Sequence, residues 1–298
     1  MLNKVLVGTD FSDPSLAVLD YLPRLKDAGL HDVLLAHVTH PPSPGVGEVL
    51  MEGVRSSLDE QANHLREHGL DVETVIEHGA TAITLADLAE RHGADALVVG
   101  SHGRSLLGRI LLGSVSMSVL HQSRVPVLIV RVELCRTDEG ISCELQPDQP
   151  FDHILFPTDF SEAADFAFER MTDLVARSAS RVTLLHVHNP PAHDDDEEEY
   201  LDEEEAAADV EALHEEDRKR LKRMADGLRD RGVENVGMIV TTGSPAVSAT
   251  RFAEAQDVSL IALGTQGRGA MEELVVGSVA LKIARTSPVP VLMIPHRP

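Results

Sequence analysis

The chain repeats itself, and that constrains its fold more than any other feature. Residues 5–12 read VLVGTDFS and residues 154–161 read ILFPTDFS. LLAHV at 34–38 returns as LLHV at 184–187, and LVVGSHG at 97–103 as IALGTQG at 261–267. GSV at 113–115 recurs at 277–279, and VPVLI at 125–129 becomes VPVLM at 289–293. Self-similarity on this scale means two copies of one folding unit. A length of 298 residues agrees, at roughly 150 residues per domain. Asp10 to Asp159 and Val38 to Val187 are both 149 positions, whereas Gly79 to Gly243 and Gly100 to Gly264 are both 164. The second copy therefore carries a net 15 extra residues between Val187 and Gly243, in a stretch that includes HDDDEEEYLDEEE. From Asp194 to Asp217 there are 15 carboxylates and no Lys or Arg, which reads as a solvated tether or an acidic helix start. The expected organisation is a first domain over 1–132, a linker over 133–151, and a second domain over 152–298 with an acidic insertion at about 193–217.

Within each copy short apolar runs alternate with helical patterns. Strands are expected near 4–8, 32–38, 71–77, 95–100 and 126–131, and again near 153–157, 181–187, 235–241, 258–263 and 290–294. Their nearly continuous apolar character suits parallel strands buried on both faces. Helices are expected near 13–28, 47–68, 81–92 and 114–123, and near 161–178 in the second copy. Asp13-Pro14 resembles an N-cap followed by proline, and Ser161-Glu162 a cap followed by a favourable first-turn charge. The fold class is α/β: two tandem doubly wound domains, each with a five-stranded parallel sheet and helices on both faces. Aromatics are only 3% of the chain and Trp is absent, so aliphatic side chains fill both cores.

A formal charge of -23 argues against nucleic acid as a partner and against adhesion to anionic membranes. No apolar run reaches the length of a membrane span, and the first residues lack a signal peptide's apolar core, so a cytoplasmic protein is expected. Cys135 and Cys143 form neither a disulfide framework nor a CxxC metal motif and read as ordinary thiols.

Polar residues recur where strands of such a sheet end, which is where ligands bind in open α/β folds. Asp10 and Asp159 follow the first strand of each copy. Gly100 and Gly264 end the fourth strand and open the pattern G-x-x-G-x9-G-S: Gly100, Gly103, Gly113, Ser114, then Gly264, Gly267, Gly277, Ser278. Glycine lets backbone N–H groups come close to a phosphate and admits positive φ. The serines stand at a helix start, where free N–H groups favour an anion, as N-cap, phosphate ligand or both. The alternative is a tight strand-to-helix turn without a ligand. Neither G-x-G-x-x-G nor a P-loop is present, and no constellation for acid–base or nucleophilic catalysis emerges. His37 and His186 precede the strand-two valines and read as a shared strand end rather than a metal site.

These motifs, TDFS, HV, G-x-x-G-x9-G-S and the closing VPV, resemble the universal stress protein family in its tandem two-domain form. GSHGRSLLGRILLGSVS is close to its ATP-binding branch. The resemblance implies an adenine nucleotide alpha hydrolase-like fold. It places Asp10 and Asp159 beside adenine and ribose, and Val38 and Val187 on adenine through main-chain groups. The glycines and serines above would line ribose and phosphates. Thr9, His102, Arg104, Val115, Ser116, Thr158, Arg268 and Val279 complete the candidate nucleotide-binding set. It also implies antiparallel pairing of last strands, here Val125–Val130 with Val289–Ile294, as an internal pseudo-dimer, with homodimerisation of the whole chain left open.

The implied ligand is ATP, ADP or AMP, with Mg²⁺ or Mn²⁺ as accompanying ion. Between its second and third glycines the first copy carries Arg104 and Arg109; the second carries Arg268 against Glu272 and Glu273. Carboxylates within about 8–10 Å oppose a triphosphate unless metal intervenes, so the first copy is expected to bind more tightly. The leading expectation is an ATP-binding regulatory or stress-resistance factor. Its alternatives are a slow ATPase or phosphotransferase, and a nucleotide-independent scaffold whose acidic segment docks an unidentified protein partner.

Overall fold

The computed structural model describes residues 1–39, 47–101, 112–137, 140–145, 149–174, 178–188, 203–267 and 276–296. The first copy contributes β1 (Lys4–Gly8), β2 (Asp32–Thr39), β3 (Asp71–His78), β4 (Ala96–Gly100) and β5 (Val127–Val130). Helices α1 (Asp13–Tyr21), α2 (Gly47–Glu67), α3 (Thr81–Arg91) and α4 (Ser114–Gln122) connect them. A hairpin, β6 (Val132–Thr137) and β7 (Gly140–Leu145), leads into the second copy. There β8 (His153–Thr158), β9 (Arg181–His188), β10 (Val236–Thr242), β11 (Leu260–Gly264) and β12 (Val291–Ile294) alternate with α5 (Glu162–Leu174), α6 (Glu203–Asp230), α7 (Pro245–Ala255) and α8 (Ser278–Thr286).

All ten expected strands form, and they make a single ten-stranded sheet in the order β10-β9-β8-β11-β12-β5-β4-β1-β2-β3. Pairing is parallel within each copy, with Val5 beside both Val33 and Ala96 and Ile154 beside both Val182 and Leu260. The copies join where β12 runs antiparallel to β5, Val291 facing Ile129 and Met293 facing Val127. These last strands are too apolar to stand as open edges, and pairing removes both edges at once. Each large apolar side chain buried there is worth about 1.5–3 kcal/mol. Strand order reverses between β1 and β4 and between β8 and β11, so each copy has a crevice at those carboxyl ends.

Two apolar cores cover the faces of the sheet and both cross the join. One gathers β-strand residues with α1, α2, α5 and α6, for example Val18, Leu58, Phe168 and Leu221. The other gathers them with α3, α4, α7 and α8, for example Leu85, Val119, Ala249 and Ile283. Arg131 lies at the join, 5% exposed, and its Nη2 donates to the Ala284 carbonyl in the last turn of α8 at 2.6 Å. Burial pushes its guanidinium down to about 10.

Three local expectations need correction. The helical pattern over 13–28 breaks into α1 and a 3-10 segment, Leu22–Ala28, because Pro23 has no N–H to give to an α-helical ladder. Ser12, not Asp13, occupies the α1 N-cap position. Residues 133–151, read as linker from Cys135, Gly140 and the prolines, include most of the β6–β7 hairpin, which lies against α1. Its register sets Cys135 opposite Ser142 and Leu134 opposite Cys143, so the cysteines are not cross-strand partners. Of the acidic insertion, 193–202 lies outside the described residues, and the remainder belongs to α6.

Candidate nucleotide site

The turn after the first strand of each copy is built by its own side chains. The Phe11 and Phe160 N–H groups donate to the Thr9 and Thr158 hydroxyls, at 3.1 and 3.0 Å. Those bonds hold Phe11 and Phe160 at φ 62° and 58°, unusual for a large side chain. The Ser12 and Ser161 N–H groups then donate to Oδ1 of Asp10 and Asp159, at 3.1 and 3.0 Å. The first copy adds the Ser12 hydroxyl at 2.5 Å and the Ser15 hydroxyl at 2.6 Å on the same oxygen. Ser161 in the second copy instead caps α5 by accepting the Ala164 N–H at 3.2 Å.

The paired histidines lock this turn from strand two. Nδ1 of His37 and of His186 donates to the carbonyls of Thr9 and Thr158, at 2.8 and 2.7 Å. Each imidazole also packs on the turn's phenylalanine, with ring centroids 4.4 Å apart. The shared strand end expected from the sequence thus has a structural reason. Val38 and Val187 follow these histidines and point to the opposite face, among the core of α3, α4, α7 and α8.

Across the switch point the glycine turn comes close to the aspartate turn. A Cβ on Gly267 would stand 2.6 Å from Asp159 Oδ2, so no other residue fits without displacing the carboxylate. A Cβ on Gly264 would press on the Ala163 carbonyl at 3.2 Å. Close approach is the reason for Gly264 and Gly267, whereas Gly113 and Gly277 sit at φ -60° and -61°, where no positive φ calls for glycine. They are also the N-caps of α4 and α8, which corrects the expectation of a serine cap. Ser114 and Ser278 are the first helical residues, and no side chain caps either helix. Ser114, Val115, Ser278 and Val279 are exposed there. The N–H groups of the first turn have no intrahelical carbonyl to bind, which gives each start a partial positive charge.

The starts of the last helices differ in one bond. The Ser116 hydroxyl donates to the Gly100 carbonyl at 2.6 Å, tying α4 to the end of β4. Ala280 fills the equivalent place in α8 and is 5% exposed. The structure brings Asp159, Gly264, Gly267 and Gly277 together in the second copy, and Thr9, Asp10, Gly100, Gly113 and Ser116 to corresponding places in the first. His102, Gly103, Arg104, Arg109, Arg268, Glu272 and Glu273 lie outside the described residues. A further cluster, His186, His188 and Asp217, was not anticipated. The H-x-H spacing was its only sequence signal, since Asp217 is lost among neighbouring carboxylates.

A doubly wound sheet with a glycine-lined turn at each switch point defines the class. The universal stress protein family model matches residues 1–131 and again 150–295, and the chain belongs to that family. A universal stress protein of Mycolicibacterium smegmatis is 29% identical, the match covering 98% of this chain and 97% of that one. The crystal structure of a universal stress protein from Archaeoglobus fulgidus superposes with a TM-score of 0.69 at 24% identity, covering 99% of this chain and 96% of that one. The fold is thereby the adenine nucleotide alpha hydrolase-like fold, in tandem. A universal stress protein solved in complex with cAMP is 32% identical over 44% of this chain and 97% of its own, with a TM-score of 0.36. Among the described residues no helix is long and apolar enough to cross a membrane.

Proposed function

We propose that the chain is a regulatory adenine-nucleotide-binding protein, with one crevice per copy and the tighter site in the first. The observation that carries this reading is the pairing of an uncapped helix start with a glycine turn that leaves no room for a side chain. Such a turn presents main-chain N–H groups to phosphates, while Asp10 and Asp159 stand beside the sugar. Mg²⁺ or Mn²⁺ arrives with the nucleotide as its counter-ion. Binding outranks hydrolysis because Oδ1 of Asp10 is engaged within its own turn, accepting three hydrogen bonds from Ser12 and Ser15.

The regulatory role follows from where the ligand sits. A nucleotide held between the strand-one turn and the glycine turn would favour whichever arrangement of the two binds it better, by its differential affinity. Calorimetric titration of the full chain with MgATP, ADP, AMP and cAMP tests the reading against Gly113→Ala and Gly277→Ala variants. A methyl at Gly277 comes no closer than 3.4 Å to any neighbour, the Thr265 carbonyl, so that variant should fold normally. Loss of one site in each variant, with no multiple-turnover ADP release, is the expected result. Unchanged binding in both variants would remove the glycine turns from the account.

A further inference from the structure

The acidic segment hides one carboxylate that does not face water. Asp217 is 8% exposed, although it closes a run of 15 carboxylates. It heads the buried stripe of α6, continued by Leu221, Ala225 and Leu228. The matching stripe of α2 is Leu58, Ala62 and Leu65, and the same spacing puts Val54 where Asp217 stands. An apolar position of the first copy has become a buried anion in the second. Burying an anion is costly unless a cation meets it.

What meets it comes from β9. His186 and His188 are two residues apart on a strand and so share a face, the one that packs on α6. His188 Nε2 makes a close contact with Asp217 Oδ2, and His186 Nε2 lies 3.5 Å from the same oxygen. The three ligand atoms are within 4.8 Å of one another. The first copy has His37 but Thr39 in place of His188, so both added ligands are confined to the second copy.

The His186 tautomer decides what the cluster needs. Its Nδ1 faces the Thr158 carbonyl at 2.7 Å, and a carbonyl only accepts, so Nδ1 carries the hydrogen. In the neutral ring Nε2 then offers a lone pair, and it offers it to a carboxylate. A proton on that nitrogen makes this an ion pair, and a metal ion in front of it would be held by both groups. A tetrahedral zinc ion with bonds of about 2.0–2.1 Å separates its ligand atoms by about 3.3–3.4 Å, near the His186–Asp217 spacing, whereas His188 and Asp217 stand closer and would part to admit the ion. A backbone carbonyl on the far nitrogen is the usual support for a metal-bound imidazole. The ring is held further by Phe160, 4.4 Å away, over which the Arg220 guanidinium sits at 4.5 Å.

We infer that His186, His188 and Asp217 form a binding site for one divalent transition-metal ion of the zinc class. Two imidazoles and one carboxylate suit such an ion better than Mg²⁺ or Ca²⁺, which prefer oxygen. Three protein ligands leave one position of a tetrahedron for water. The cluster lies on the opposite face of β9 from Val187, and His186 ties it to the second-copy turn through the Thr158 carbonyl, so the first-copy crevice is the one independent of it. The other group with ligand-like spacing among the described residues, His31, Asp32 and Asp71, is exposed at His31 and Asp71. His31 bonds to Asp32 at 2.8 Å, the carboxylate raising the imidazole's pKa, and this exposed pair accounts for the group without a metal.

Titration of the untagged, metal-stripped full chain with Co²⁺, followed by Zn²⁺ competition, tests the inference. The expected result is one equivalent bound, with the intense visible absorbance of four-coordinate Co²⁺ and no thiolate band. His188→Thr and Asp217→Val restore the residues of the first copy, which support the same strand and helix there. Each should weaken binding at least about tenfold with the circular dichroism spectrum unchanged, while His31→Ala should have no effect. Nucleotide titration of the same variants keeps the two readings apart, because the first-copy site should be untouched. Absence of binding at micromolar Co²⁺ and Zn²⁺, or binding that both variants retain in full, would overturn the site and leave a His–Asp ion pair.

Discussion

The two copies share a backbone and differ in what surrounds it. Both build the turn after their first strand from a threonine hydroxyl, a phenylalanine at positive φ and an aspartate acceptor. Both start the last helix from an uncapped glycine. Residues then diverge: Ser116 against Ala280, Val54 against Asp217, and, between the second and third glycines of the motif, Arg104 and Arg109 against Arg268, Glu272 and Glu273. On the reading proposed above, main-chain geometry would equip both crevices for the same ligand, charge would separate their affinities, and the second copy alone carries the His186, His188 and Asp217 cluster.

Filling the second crevice breaks the comparison most severely. Gly267→Val should push a side chain into Asp159 and weaken the second nucleotide site by more than about tenfold, at a stability cost of about 1–3 kcal/mol. Calorimetry should show one site lost and the other unchanged. Reversing the charge contrast comes next. Glu272→Lys with Glu273→Lys should tighten the second site by about three- to tenfold at low ionic strength, and the gain should shrink as salt rises. An effect independent of salt would mean that charge does not separate the sites.

Stability measurements sharpen the comparison on a smaller scale. Ser116→Ala makes α4 resemble α8 and leaves the Gly100 carbonyl without its 2.6 Å donor. The expected loss is about 1 kcal/mol in denaturant unfolding. His153 opens the second copy where Lys4 opens the first. It is 4% exposed, its Nδ1 donates to the Gln256 carbonyl, and Nε2 accepts from the Thr183 hydroxyl, both at 2.9 Å. Burial holds its imidazole below the ordinary value of 6.5, and the Gln256 bond opposes that only in part. The folded state thus binds this proton less readily than the unfolded chain does. Its stabilising contribution is complete above about pH 6.5 and declines as pH falls toward the folded-state value. His153→Gln should flatten that part of the stability profile, read as the midpoint of thermal unfolding between pH 7 and 5.

The strands were legible because buried parallel strands are written as unbroken apolar runs, and the repeat supplied each of them twice. The hairpin at Val132–Leu145 was not, because Gly140 and the nearby prolines read as punctuation rather than as a turn between two strands. At the site, spacing located the glycines but not their reason. Only coordinates show that Gly267 yields its space to Asp159 and that Gly277, not Ser278, is the cap. Asp217 was hidden for a different cause. Burial is a property of the helix stripe, and composition gave every carboxylate in that stretch to solvent.

The central claim is that main-chain geometry at twin glycine turns creates two nucleotide sites of unequal strength. Titrating the full chain with MgATP at low and physiological salt measures it directly. The account predicts two binding events, the tighter abolished by Gly113→Ala and the weaker by Gly277→Ala. A single event that survives both substitutions, or no heat at millimolar MgATP, would contradict it.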